Sequence, residues 1–244
     1  MTICDTNIWY EITKESNSLK DLTLTPLSVK EIANSPKLLS KIEIVRLAVN
    51  NIFEFGNEII IKTPLEYLLS LDNQSYDGTQ PYKNLSDEFE VLCKLKDGVS
   101  FPKEEMPQLE KHIEKIRNMI SESTANLQEM LVAVRKNIED NKKQQRIDTT
   151  EITKDVIKQF VKSGTENKYN LTDSFDWTKI ELFLHTLDAY FKMLETNTTM
   201  RVKDNDWIDL FNLMYVTPAD KYLTGDKGIT RAITAGKMKK YLIE

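Results

Sequence analysis

Three short apolar runs near the start of the chain each end in a turn residue and are followed by a helical pattern. "MTIC" leads into Asp5 and "IWYEITKES", "LTLT" into "PLSVKEIANS", and "NEIIIK" into Thr63-Pro64 and "LEYLLSL". Short runs without polar alternation suit strands buried on both faces, and strands alternating with helices suit a parallel sheet covered by helices. Between the second and third strands, Leu38, Ile42, Val45, Val49 and Ile52 recur at helical spacing, and Gly56 closes the helix. The last 40 or so residues return to this texture. "NDWIDLFNLMYV" reads as a helix, "DKYLTGD" as a strand and turn, "KGITRAITAG" as a helix closed by Gly236, and "MKKYLIE" as a final strand.

The middle is different. From Met106 to Ile138 apolar residues fall in alternating steps of three and four, through Leu109, Ile113, Ile116, Ile120, Leu127, Met130 and Val134, and no Gly or Pro lies between Pro107 and Gly164. A single helix of about 35 residues would be roughly 50 Å long, although "SESTAN" at 121–126 could instead bend it into a hairpin. "TEITKDVIKQFVKSG" and "DWTKIELFLHTLDAYFKMLE" add two amphipathic helices, in which Trp177, Phe183, Tyr190 and Phe191 read as core. The chain therefore divides into a discontinuous α/β domain over residues 1–80 and 197–244 and a helical insertion over 81–196.

Composition narrows the function. No run approaches the roughly 20 apolar residues of a membrane span, and the first residues lack a basic segment followed by an apolar one, so a soluble, cytoplasmic protein without a membrane partner is expected. Cys4 and Cys93 do not make a disulfide framework or a zinc site, and His112 and His185 are the only histidines. The net charge of −5 gives no overall attraction to nucleic acid. Local basic stretches occur at 135–146, with five positive and two negative residues, and at 221–244, with six and two.

Carboxylates are the remaining chemistry. Ligands of parallel α/β sheets bind beyond the carboxyl ends of the strands. Asp5 and Asp226 each follow a strand, Glu31 lies on the helix after the second strand, and Asp206 and Asp209 open the helix before the strand that leads to Asp226. Crowded carboxylates repel one another, and a hard divalent cation relieves the repulsion. Each acid also has an ordinary reading. Asp5 can form an Asx turn, Ser28 and Glu31 a capping box with Ser28 as N-cap, and Asp206 a plain N-cap. Asp226 could be a simple loop residue.

In order and placement, "ICDTNIWYE", Glu31 in "LSVKEIA", and "DWIDLFNLMYV" followed by "KYLTGDKG" resemble PIN domains. The resemblance covers roughly residues 1–70 and 200–244 and departs from the family's small size through the insertion of more than a hundred residues before the third acid. It implies a three-layer α/β/α fold with a central parallel sheet of four or five strands, carrying an all-helical insertion. It further implies an endoribonuclease dependent on Mg²⁺ or Mn²⁺, with Asp5, Glu31, Asp209 and Asp226 as catalytic metal ligands. Asp209, 17 residues before Asp226 (226 − 209), suits that unit better than Asp206 at 20 (226 − 206). Asn7, Thr224 and Asp206 would orient these groups. The substrate implied is single-stranded or structured RNA, cleaved to a 5′-phosphate and a 3′-hydroxyl.

A haloacid-dehalogenase-like phosphatase also starts from an aspartate after its first strand, but Asn7 stands where its second aspartate belongs. The non-enzymatic alternative is a catalytically weak PIN-like scaffold whose helical insertion binds a protein or nucleic-acid partner, or a second copy of the chain.

Overall fold

The computed structural model describes residues 1–13, 21–75, 79–140 and 149–243. Strand β1 (Thr2–Cys4) leads through Asp5 into α1 (Thr6–Glu11), and β2 (Leu22–Leu24) leads through Thr25 into α2 (Pro26–Ala33). Helices α3 (Lys37–Ser40) and α4 (Ile42–Phe55) precede β3 (Gly56–Ile59). Pro64, at the first position of α5 (Pro64–Leu71), follows a Thr63–Glu66 capping box, so the proline that ends the strand region also starts the next helix. Helices α6 (Thr79–Lys96), α7 (Met106–Asp140), α8 (Thr150–Gly164) and α9 (Glu181–Thr196) form the middle. The chain closes with α10 (Asp206–Asn212), β4 (Lys221–Leu223) and α11 (Lys227–Ala235).

All strand pairs are parallel, in the order β3-β2-β1-β4. The expected final strand is reduced to a one-residue bridge of Leu242 to Tyr222, because 239–241 turn into a 3₁₀ helix. Helix α7 runs through 121–126 without a bend, with Thr124 turning its hydroxyl back onto the Ile120 carbonyl. The basic stretch 135–146 continues beyond Asp140 into residues outside those described.

Successive strand residues face opposite sides of the sheet. Ile3 and its register partner Tyr222 join one apolar cluster, whereas Cys4, Leu22 and Leu24 join the other. The first cluster takes Leu68 from α5, Val161 from α8, Leu187 from α9 and Ile233 from α11, and the second takes Trp9, Val49, Leu92 from α6 and Ile113 from α7. The helices of 81–196 thus supply both cores that flank the sheet. Division by chain order and division by packing do not coincide. Phe183 and Tyr190 are buried in the first cluster, with Trp177 and Phe191 packed against it, which leaves these rings as core.

One further detail differs from expectation, and a second gives the physical cause of an expected boundary. Thr25, not Ser28, caps α2, accepting a hydrogen bond from the Ser28 amide at 3.2 Å with Pro26 next in line. Gly56 closes α4 with an extended backbone, where a Cβ would stand 2.4 Å from the Ile52 carbonyl oxygen. Close approach, not a left-handed conformation, is what requires glycine there.

Candidate functional site

The connectivity places the site before any side chain is considered. The chain builds outward from β1 to β2 to β3, then returns to β4 on the other flank of β1, so the strand order reverses between β1 and β4. A crevice forms at such a reversal because the connections on the two sides leave in opposite directions. Asp5 stands at this point, extending the ladder through its amide to the Leu223 carbonyl at 2.9 Å.

The TGD turn after β4 meets it. Thr224 donates its hydroxyl to Asp5 Oδ2 at 2.9 Å and accepts the Asp226 amide at 3.0 Å. Asp226 Oδ1 accepts the Ile229 amide at 2.8 Å and caps α11, so the acid is held in place by the helix it starts. Residues 219 positions apart in sequence are joined directly, by a hydroxyl, at the C-terminal edge of the sheet.

Glu31 lies on α2 beyond the first turn. Because Thr25 is the cap, Glu31 has no capping duty, and the Ser28–Glu31 capping box is absent. Its Oε2 is buried with no hydrogen-bond partner, and Oε1 takes a long 3.5 Å contact from Asn205 Nδ2. Burial raises its pKa, the Thr6 hydroxyl lowers it, and the negative charge of Asp5 raises it again.

Asp209 is the electrostatic hub. It is 8% exposed, and its pKa is pushed up to about 9, first by burial and then by the charges of Asp5, Glu31, Asp226 and Asp206 in that order. Asp5 is fully buried and also raised, by burial first, with the Asp226 charge adding to it. The Thr224 hydroxyl and the amides of Asn7 and Thr6 work against that rise. The charges of Asp5, Glu31 and Asp226 thus all bear on the ionisation of Asp209, that of Asp5 on Glu31, and that of Asp226 on Asp5.

The accessory residues divide differently. Asp206 accepts hydrogen bonds from the Tyr190 hydroxyl and from the Lys203 amide at 2.8 Å, which makes it a structural tie outside the inner set. The Asn7 amide favours the charged form of Asp5, and the residue itself is exposed. Thr224 touches Asp5 directly, through its hydroxyl. Sequence reasoning missed a buried polar layer beneath the acids. Thr25 donates to Asn212 Oδ1 at 2.6 Å, and the Thr6 and Ser28 hydroxyls lie 3.1 Å apart. A detectable signal existed: three hydroxyl residues interrupt apolar positions immediately after β1 and β2.

No family model, curated protein or solved structure matches the chain. The case for a site rests on its chemistry.

Among the described residues, no three His, Cys, Asp or Glu side chains already stand in cation-clasping geometry. The donor set nonetheless fits a hard cation. Asp5 Oδ1 and Glu31 Oε2 are both buried and without a hydrogen-bond donor, a costly state for an ionised carboxylate that either a proton or a facing positive charge relieves. Both remaining acids offer oxygen ligands as well, with no sulfur or imidazole in the set, which favours Mg²⁺ or Mn²⁺ over Zn²⁺.

Proposed function

We propose that the chain is a metal-dependent endoribonuclease of PIN-like design, hydrolysing RNA phosphodiester bonds at the β1–β4 edge of the sheet. The observation that carries this reading is the coupling of Asp209 to Asp5, Glu31 and Asp226, four acids from four separate elements gathered at the strand-order reversal. Structural acids rarely converge in this way, because each added negative charge raises the cost of the next.

Asp5, Glu31, Asp209 and Asp226 would hold one or two Mg²⁺ or Mn²⁺ ions. Bound there, the metal would neutralise the acids and supply Lewis-acid activation of water and of the phosphodiester. The protein's own residues set the aim. Thr224 occupies Asp5 Oδ2 and leaves Oδ1 without a hydrogen-bond partner, and Thr6 steers Glu31. Asp226 has one oxygen fixed in the α11 cap, so its second oxygen is presented at a constant angle. Asp206 stays in an outer, positioning role through Tyr190.

The test is cleavage of labelled single-stranded and hairpin RNA with Mn²⁺ or Mg²⁺, and its loss with chelator. Asp5→Asn and Asp226→Asn should each abolish cleavage while the protein stays folded. Undiminished activity in both would sink the assignment. One observation favours the second reading, a catalytically weak scaffold: the acids need adjustment before three of them could share an ion. In that case Mn²⁺ would neither support cleavage nor raise thermal stability.

A further inference from the structure

Helix α11 begins one residue after Asp226, and its two sides differ sharply. Ile229, Ala232 and Ile233 are buried in the core, while Lys227, Thr230, Arg231, Thr234 and Ala235 line a shallow surface groove of about 460 Å³. No carboxylate lines that groove. Among the described residues, neither Lys227 nor Arg231 is ion-paired, although the chain as a whole carries a charge of −5. The two cations are one helical turn apart, about 6 Å along the axis, a spacing that lets one strand place neighbouring phosphates on both. The Thr230 and Thr234 hydroxyls are turned back onto helix carbonyls, which leaves their methyl groups and Ala235 as a low apolar floor beside the charges and beyond Arg231.

We infer that the outer face of α11 is a phosphate track for single-stranded RNA, with Lys227 taking the phosphate nearer the acids and Arg231 the next. The inference rests on the ribonuclease reading for its choice of ligand. Its geometric content is separate: a cationic strip that starts beside the acid cluster and leads away from it gives the phosphates of a strand a favourable approach to the cluster. A single helix face contacts one strand, so a rigid duplex gains little from it.

The experiment is fluorescence anisotropy with a labelled oligouridylate in chelator, at several salt concentrations, using the full chain. Two proteins are compared with wild type: Lys227→Glu/Arg231→Glu and the matched surface control Lys111→Glu/Lys115→Glu. The track variant should bind roughly 10- to 100-fold more weakly, with its log–log salt slope smaller by about one to two. The control should keep binding. Equal weakening in the track variant and the control, unchanged binding in the track variant, no RNA binding by wild type, or preference for duplex of the same length would each overturn the track. Retained α11-dependent binding by a wild-type protein that cleaves nothing would support the track and remove only the nuclease reading.

Discussion

Asp209 makes the stability of this protein depend on pH in a direction opposite to that of a salt-bridged carboxylate. Its folded pKa is about 9 against an ordinary 3.8. Between those values the native state holds a proton that the unfolded chain has released, so stability is fully present below the unfolded value and is lost as pH rises through the folded one. The slope reaches about 1.4 kcal/mol per pH unit for one such group. From about pH 6 to about pH 8 the loss is then up to about 3 kcal/mol, which for a chain of this size lowers Tm by roughly 5 to 10 °C. Asp5 and Glu31 are raised too and act in the same direction. Thermal melts in chelator across this range should show the fall, and Asp209→Asn should flatten it. Mn²⁺ or Mg²⁺ should restore Tm at the higher pH, by about 2.7 kcal/mol of stabilisation when the ion is a hundredfold above its Kd. A Tm that stays level with pH in chelator, or an Asp209→Asn slope as steep as wild type, would refute the reasoning.

Other perturbations probe the remaining links. Thr224→Val removes the donor to Asp5 Oδ2 and the acceptor of the Asp226 amide, so stability should fall by about 1 to 3 kcal/mol. The acidic limb of the cleavage rate profile should also move to higher pH, because Asp5 loses a hydrogen bond that favours its charged form; an unmoved limb counts against a positioning role. Gly56→Ala drives a Cβ into the Ile52 carbonyl oxygen and should cost about 1 to 3 kcal/mol, read as a lower denaturant midpoint. Leu92→Ala and Leu187→Ala, on α6 and α9, should each cost about 2 to 5 kcal/mol in a single cooperative transition. Separate unfolding of the helical middle would contradict the shared cores.

Much of the architecture follows from local chemistry. The strands at 2–4 and 22–24 are buried and carry too little polar alternation for anything but a covered sheet, whereas 56–59, expected to be buried as well, is an exposed edge strand; Pro64 and Gly56 mark boundaries through steric limits that act within a few residues. Helix α7 was likewise legible, since an unbroken three-four stripe without Gly or Pro is a local property. The final strand was not, because "MKKYLIE" has strand character but only one residue of it finds a partner beside β4. Ser28 and Glu31 had the spacing of a capping box, yet Thr25 with Pro26 took the cap, and this freed Glu31 for the crevice.

The order of the acids was visible in the chain, but their coupling was not. Asp206 and Asp209 differ by less than one helical turn, and only packing separates them: one is tied to Tyr190 and the other is buried among like charges. The same holds for the allegiance of the central helices, since an amphipathic stripe specifies that a face must be buried without naming what buries it. Sequence by itself determined which residues want burial, where helices and strands start, and that carboxylates follow the strands. Tertiary structure alone decided that β4 lies against β1, and the direct bond from Thr224 to Asp5 follows from that pairing. Charge coupling decays over a few ångströms of space, whatever the distance along the chain.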